Sequence, residues 1–212
     1  MIRGFGYSPK YGSCVRVHGR ITFVNRLREC IVPTTKEGYI THEGCDHIFF
    51  VGFLGAGKST LARNLGRLYH RTYVDTDRMA ERIMCKTVRE CFEQDGEDAF
   101  RDAETEVLHR LSEQKSLLVS CGGGIVERES NCGLMHDMGV IVFLDGDLSD
   151  SLRQIQHPEK RPDLGLMDVR ELYRRRRPLF VHAADYVIDI REKSFEQVAE
   201  AAGCLLWEEG LL

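Results

Sequence analysis

The stretch VGFLGAGKST, residues 51–60, places three glycines, a lysine and a serine–threonine pair directly after an apolar run. Its spacing, Gly52-x-x-x-x-Gly57-Lys58-Ser59, is the P-loop pattern, with a predicted strand before it and a predicted helix after it. Glycines let the backbone turn so that successive N–H groups point towards a phosphate chain. The stretch therefore predicts a nucleotide site at the end of a strand, and with it an α/β fold.

The residue types in this loop predict how it would hold a nucleotide. Lys58 is expected to reach the β- and γ-phosphates, and the Ser59 hydroxyl is expected to ligate Mg²⁺. The positive end of a helix that opens near Lys58 adds to the attraction for phosphate. We expect nucleotide contacts from six consecutive residues: Gly55, Ala56, Gly57, Lys58, Ser59 and Thr60. ATP and Mg²⁺ are the predicted cofactors.

Short apolar runs alternate with helical sequence from His47 onward. The predicted strands are HIFFVG (47–52), TYVDTD (72–77), LLVSC (117–121), VIVFL (140–144) and YVIDI (186–190). Helices are expected over 58–69, over 78–114 with one break at QDGED (94–98), and in the C-terminal tail. This alternation indicates a parallel sheet with helices on both faces.

Residues 1–46 differ from the domain predicted over 47–212. The first 28 residues carry six basic side chains and no acid, and ITFV (21–24) is the stretch there that is typical of a strand. An acid-poor, arginine-bearing segment can be an organelle transit peptide, although this one holds only two serines. A flexible or disordered extension and translated sequence upstream of the true start are the alternatives that stay open.

The composition and the missing motifs disfavour several classes of protein. A net charge of −4 and an ordinary 42% hydrophobic content do not indicate binding to nucleic acid or to a membrane surface. N-K-x-D and D-x-x-G elements are both lacking, which argues against a switch GTPase, and the length of 212 residues argues against a motor. The eight cysteines contain no C-x-x-C pair, so we expect reduced thiols. A small kinase, monomeric and cytoplasmic (or plastid-located if 1–46 is a transit peptide), is the leading class.

Two pairs of charged residues predict a second substrate beside the nucleotide. Asp75 and Asp77 end the second strand, at the sheet edge where open α/β proteins bind ligands. Because they are two residues apart on extended chain, their side chains would point the same way. One would then face the metal and the other the acceptor. A solvated turn is the alternative for this pair. Arg101 and Glu104 are neighbours on a predicted helix. An exposed salt bridge is the alternative for that pair.

Glycines and arginines later in the chain add to this prediction. Three consecutive glycines, Gly122–Gly124, follow the third strand and suggest backbone lying against a ligand. Arginines in EKRPDLG (159–165) and RRRRPLF (174–180) suit a lid that closes on the charge developing during phosphoryl transfer. A solvated basic helix face is the alternative for most of residues 174–177.

Six motifs in a fixed order resemble the shikimate kinase family. They are GAGKST (55–60), DTD (75–77), FRDAE (100–104), GGG (122–124), RP (161–162) and RRPLF followed by AD (176–185), and the similarity spans about 48–206. The resemblance implies the fold of nucleoside-monophosphate kinases, with a five-stranded parallel sheet and a mobile lid. It also implies ATP-dependent phosphorylation of the 3-hydroxyl of shikimate, on the route to chorismate and the aromatic amino acids.

The resemblance implies roles for the acceptor-side residues. Asp77 would hold the shikimate hydroxyls and orient or deprotonate the nucleophile. Arg101 and Arg176 would clamp the substrate carboxylate, with Glu104 positioning Arg101. The implied substrate site comprises Asp77, Arg101, Glu104, Gly122, Gly123, Gly124 and Arg176.

The resemblance also implies roles on the nucleotide side. Asp75 would support the Mg²⁺ that Ser59 ligates. Arg161 would close from the lid onto the phosphates and act in catalysis with Lys58 and Asp77, while Arg153 would stack on adenine. The chain departs from the family pattern at Asp163, which stands where a hydrophobic residue usually follows RP. A kinase of another small hydroxy-acid or polyol, such as gluconate, and a non-catalytic binding protein of this fold are the alternatives.

Overall fold

The computed structural model describes residues 14–17, 20–23, 46–149 and 168–212. Arg153 and Arg161, together with the predicted lid, lie outside these residues. The elements of the described part are, in chain order, β1 Cys14–Val17, β2 Arg20–Phe23, β3 His47–Gly52, α1 Lys58–Leu68, β4 Tyr73–Asp75, α2 Thr76–Met84, α3 Val88–Gln94, α4 Glu97–Leu111, β5 Leu118–Ser120, a 3₁₀ turn Ile125–Glu127, α5 Glu129–Met138, β6 Gly139–Asp145, α6 Val169–Ala183, β7 Tyr186–Asp189 and α7 Phe195–Glu208.

The strands form one sheet in the order β1-β2-β7-β6-β3-β5-β4. Five of them, β7-β6-β3-β5-β4, run parallel, which confirms the predicted five-stranded parallel sheet. The segment before residue 46 adds two more strands at the β7 edge. In this addition β2 pairs parallel with β7, and β1 pairs antiparallel with β2. The predicted strand ITFV overlaps β2.

Strand order reverses at β3, the central strand of the parallel sheet. After β3 the chain forms β4 and β5 on one side, and it then crosses to form β6 and β7 on the other. The carboxyl ends of parallel strands share one edge, and a reversal of this kind opens a crevice there. The turn that follows β3 therefore stands at the crevice.

Each face of the sheet packs against its own set of helices. All six residues of β3 are buried, and the side chains of residues 48–51 alternate between two hydrophobic clusters. Phe49 and Val51 lie in the cluster that includes residues of α4, α5 and α6. Ile48 and Phe50 lie in the cluster that includes residues of α1 and α7. The continuous apolar run of β3 follows from this burial on both sides.

The helical region after β4 differs from the prediction in its start and its breaks. The first helix, α2, begins at Thr76 rather than Arg78, because the Asp75 side chain accepts a hydrogen bond from the Arg78 N–H and caps it. It ends at Met84, and the C-cap residue Cys85 has a left-handed φ of 52°. Thr87 then starts α3 with a reciprocal capping box to Glu90. The region therefore contains a second break besides the predicted one at 94–98.

The cysteines are described for part of the chain. Cys85, Cys91, Cys121 and Cys132 are free thiols, as expected. Cys204 is disulfide-bonded, so the expectation of a reduced thiol is wrong for that residue. Within the described ranges, no helix has the length and apolar character that crossing a membrane requires.

Candidate active site

The turn between β3 and α1 has the backbone shape that a phosphate cradle requires. Gly55 and Gly57 adopt left-handed φ angles of 75° and 80°. Residues that carry a side chain adopt such angles only with strain. A Cβ on Gly52 would lie 2.8 Å from the Leu144 carbonyl oxygen of the neighbouring strand. Gly57 has no side chain to cap α1. The first-turn N–H groups of α1 therefore suit an anion.

Lys58 lies across this turn. Its Nζ donates hydrogen bonds to the carbonyl oxygens of Gly52 and Phe53, at 2.9 and 3.0 Å. These contacts hold the ammonium group against the backbone of the loop. Of the other predicted nucleotide contacts, Ala56 is buried within the turn and Thr60 is exposed in the first turn of α1.

Ser59 and Asp75, the two residues predicted to hold Mg²⁺, contact each other. The Ser59 Oγ donates to Asp75 Oδ2 at 3.0 Å and lies 2.8 Å from the Ser120 Oγ at the end of β5. Neighbouring ligands of an octahedral Mg²⁺ lie roughly 3 Å apart, because each sits about 2.1 Å from the ion. Both atoms are hard oxygen donors, so the pair fits Mg²⁺ whose other positions are filled by phosphate oxygens and water. No group of three His, Cys, Asp or Glu that could hold a metal occurs in the described part of the chain.

Asp77 does not continue an extended strand, which corrects the prediction for the acid pair. Asp75 is the last residue of β4 and caps α2, whereas Asp77 lies in the first turn of that helix. The two carboxylates therefore separate: Asp75 contacts Ser59, and Asp77 reaches the loop of consecutive glycines. The Thr76 Oγ1 between them accepts a hydrogen bond from the Gly122 N–H at 2.8 Å, which ties α2 to that loop.

Each glycine of the loop Gly122–Gly124 faces a different predicted substrate residue. A Cβ on Gly122 would lie 2.1 Å from Asp77 Oδ1 and 2.9 Å from Glu104 Oε1. One on Gly123 would lie 3.4 Å from Arg176 Nη1. One on Gly124 would lie 2.2 Å from Arg101 Nη1. A side chain would clash at Gly122 and Gly124, whereas a Cβ on Gly123 would make only a close contact with the end of Arg176.

The glycine loop also adjoins the P-loop. The Cβ position of Gly123 lies 3.7 Å from Leu54 Cδ2, and the turn before α1 contains Leu54. Ser120, which bonds Ser59, precedes the loop by two residues. The P-loop and the predicted acceptor residues therefore lie next to each other at the carboxyl edge of the sheet. The structure brings together Lys58, Ser59, Asp75, Asp77, Arg101, Glu104, Gly122, Gly123, Gly124 and Arg176.

Arg101 and Glu104 form a buried ion pair, not the exposed salt bridge that the sequence left as an alternative. Arg101 Nη1 donates to Glu104 Oε2 at 2.6 Å, and the side chains are 6% and 0% exposed. In the described part of the chain, Glu104 Oε1 is a buried oxygen that lacks a hydrogen-bond partner. Burial raises the pKa of Glu104 to about 7, against the opposing charge of Arg101, and the Asp77 charge adds to the rise.

Glu127 is a site residue that sequence reasoning missed. It ends the 3₁₀ turn after the glycine loop, and its Oε2 accepts from Arg101 Nη2 at 2.9 Å. Its Oε1 accepts from Arg176 Nε at 3.0 Å and also from Arg175 Nη2. Burial alone would raise the pKa of Glu127. The charge and hydrogen bond of Arg176, the charge of Arg101 and the hydrogen bond of Arg175 outweigh burial and lower the pKa. The signal in the sequence is an acid three residues beyond the glycines.

The run of arginines on α6 contains side chains in different environments. Arg176 is 1% exposed and points into the site, while Arg174 and Arg175 are exposed. Arg177 pairs with Asp145 at the end of β6, with Nη2–Oδ2 at 2.7 Å. A solvated basic face therefore describes part of this run and does not describe Arg176.

A P-loop beside a pocket of paired arginines, carboxylates and bare glycine backbone defines a kinase of a small anionic alcohol. The family model "Shikimate kinase" matches residues 54–204. The chain belongs to the shikimate kinase family, as the resemblance implied.

Known proteins of this family are similar along most of the chain. The shikimate kinase of Prochlorococcus marinus is 34% identical over 161 residues, covering 74% of this chain and 80% of its own. That of Caldanaerobacter subterraneus is 35% identical over 158 residues, covering 73% and 92%. Among solved structures, Acinetobacter baumannii shikimate kinase in complex with shikimate superposes with a TM-score of 0.74 at 30% identity, covering 80% of this chain and 97% of that one. The Bacteroides thetaiotaomicron enzyme gives 0.68 at 28%, covering 80% and 100%.

Proposed function

We propose that the protein transfers the γ-phosphoryl group of ATP to the 3-hydroxyl of shikimate, which yields shikimate 3-phosphate and ADP. The observation that carries the proposal is the glycine loop, where Asp77, Arg101 and Arg176 converge beside the P-loop. A carboxylate for the two arginines and a hydroxyl for the aspartate are the groups that such a pocket recognises. Shikimate carries both.

The residues divide the reaction between binding and positioning. The acceptor oxygen forms a bond to the γ-phosphorus, the bond to the β-phosphate oxygen breaks, and Asp77 orients the hydroxyl and takes its proton. Lys58 and the N–H groups of the P-loop hold the phosphates as charge shifts to ADP. When bound, Mg²⁺ neutralises phosphate charge, and Ser59 and Asp75 would hold it. We also propose that Arg161 closes from the lid onto the phosphates and that Arg153 stacks on adenine.

The alternatives considered from the sequence are less well supported. Family membership favours shikimate over gluconate. The pair of buried arginines favours an anionic acceptor over a neutral polyol. Lys58, Ser59, Asp75 and Asp77 are all present, and this argues against a binding protein without turnover.

We propose a monomer that acts in the cytoplasm, or in a plastid if residues 1–46 act as a transit peptide, without a nucleic-acid or membrane partner. Light scattering tests the monomeric state, and the location of the tagged chain in cells tests the proposed compartment.

A coupled assay of ADP release from MgATP tests the reaction. The acceptors are shikimate, gluconate, quinate and water, and the expected result is a large increase in rate with shikimate alone. Asp77→Asn should abolish the increase and leave ATP affinity nearly unchanged, whereas Asp137→Asn, an exposed change on α5, should leave both unchanged. Equal rates with every acceptor would contradict the proposal.

A further inference from the structure

A carboxylate lies between the two arginines that are predicted to clamp the substrate. Glu127 accepts from Arg101 through Oε2 and from Arg176 through Oε1, at 2.9 and 3.0 Å. Both of its oxygens are therefore engaged, one on each guanidinium group. These arginines come from different elements, α4 and α6, and they are 75 positions apart in sequence.

The two guanidinium groups need such a bridge because they are buried side by side. Arg101 is 5% exposed and Arg176 is 1% exposed, and two buried like charges repel strongly. Arg101 also pairs with Glu97 and Glu104 on its own helix. Those acids hold Arg101 relative to its own helix, α4. Glu127 links the two arginines to each other.

The bridge leaves one end of Arg176 directed at the glycine loop. Its Nε bonds to Glu127, while its Nη1 lies 3.4 Å from the Cβ position of Gly123. Arg101 likewise directs Nη1 and Nη2 at Gly124, 2.2 and 2.3 Å from the Cβ position there. The Glu127 carboxylate thus fixes the rotation of Arg176 and the distance of that side chain from Arg101.

We propose that Glu127 is a positioning residue that sets the spacing and orientation of Arg101 and Arg176 for the acceptor carboxylate. This inference rests on the proposed function, because it assumes that an anionic acceptor binds to these arginines. Glu127 contacts the arginines that are predicted to bind the acceptor carboxylate, so we expect it to contribute to acceptor binding and not to the chemical step. A carboxylate that competed with the substrate for the arginines would have the opposite effect on affinity.

Steady-state kinetics of Glu127→Gln test the inference. The amide keeps the shape but loses the charge, and the KM for shikimate should rise about tenfold, the equivalent of one charge-assisted hydrogen bond. The kcat and the KM for ATP should stay within about threefold of wild type, because the site of the chemistry is not touched. Glu106→Gln, which breaks an exposed pair with Arg110, is the control and should change neither constant.

A second variant and a binding measurement complete the test. Glu127→Asp keeps the charge but is one methylene shorter, so its KM for shikimate should lie between those of wild type and Glu127→Gln. An unchanged or lower KM in either variant overturns the inference, and a lower one identifies Glu127 as a competitor. If wild type shows no shikimate-dependent ADP release, the proposed function fails, and shikimate affinity by calorimetry then decides the inference. Weaker binding by Glu127→Gln supports it, and equal or undetectable binding by both proteins overturns it.

Discussion

Arg101 and Glu104 lie one helical turn apart on α4 and form a buried ion pair, with 2.6 Å between Nη1 and Oε2. The pair faces the glycine loop and not the solvent. A buried charge pair of this kind adds little net stability, but the loss of one partner is costly because it leaves the other charge buried alone. The ion pair therefore serves the site, and it makes the site sensitive to substitution.

Arg101→Ala should weaken shikimate binding by several kcal/mol, on the order of 3–5 kcal/mol. The variant removes one arginine of the clamp and strands the Glu104 carboxylate. Calorimetry with shikimate measures the effect, with near-UV circular dichroism to confirm folding. Arg110→Ala, which breaks an exposed pair on the same helix, should leave the affinity unchanged. An unaltered affinity in folded Arg101→Ala would show that the clamp is misplaced.

Glu104→Gln should alter the pH dependence of stability. The pKa of Glu104 rises from 4.5 to about 7 on folding, so the folded state retains a proton that the unfolded chain releases between these values. The contribution of Glu104 is therefore greatest below pH 4.5 and falls as pH rises towards about 7. Between about pH 5 and about pH 8, wild type should lose on the order of 1–3 kcal/mol of unfolding free energy relative to Glu104→Gln.

Urea unfolding of both proteins across that pH range measures the difference. Other titrating groups cancel because they are common to the two proteins. A difference that is constant across this pH range would contradict a pKa of Glu104 that rises to about 7 on folding. A difference that shifts in favour of wild type as pH rises would contradict the direction of the shift.

Gly122→Ala should reduce kcat/KM for shikimate by about a hundredfold or more, the effect of moving a reacting group by about 1 Å. The new Cβ would overlap Asp77 Oδ1 and press on Glu104 Oε1. Gly133 on α5 is the matched control, since a Cβ there meets no atom within 4 Å. Gly133→Ala should leave activity unchanged and add about 0.5–1 kcal/mol of stability. Equal activities of the two variants would contradict a tightly packed glycine loop.

Ser59→Ala should raise the Mg²⁺ concentration for half-maximal activity by about tenfold, which corresponds to about 1.4 kcal/mol of binding free energy. Ser59 Oγ is one of the two oxygens of the predicted metal pair. The KM for shikimate should change little, because Ser59 does not reach the glycine loop. Ser130→Ala, at an exposed position on α5, is the control. An unchanged Mg²⁺ requirement would remove Ser59 from the proposed metal site.

The sequence predicted those parts of the site that depend on local geometry. The P-loop is a contiguous sequence pattern. The six buried residues of β3 form a recognisable apolar run because helices cover both faces of the sheet there. Arg101 and Glu104 are three residues apart on a helix, so their adjacency needs no knowledge of the fold. Their burial was not predictable from that spacing, since it depends on the glycine loop packing over them.

The parts that were missed depend on long-range packing or on one capping bond. Glu127 lies 26 residues from Arg101 and 49 from Arg176, so no local pattern links the three. The sequence predicted a helix from residue 78 and therefore placed Asp77 on extended chain. In the structure Asp75 caps the helix, so α2 begins at Thr76 and includes Asp77. The pairing of β2 with β7 is likewise a contact between distant segments.

A crystal structure with shikimate and ADP bound tests the central claim most directly. The shikimate carboxylate should lie within about 3 Å of the guanidinium nitrogens of Arg101 and Arg176, and its 3-hydroxyl within about 3 Å of the Asp77 carboxylate. The hydroxyl should also face the P-loop. Shikimate bound away from the glycine loop, or with its carboxylate turned from both arginines, would contradict the claim that this crevice joins the nucleotide to its acceptor.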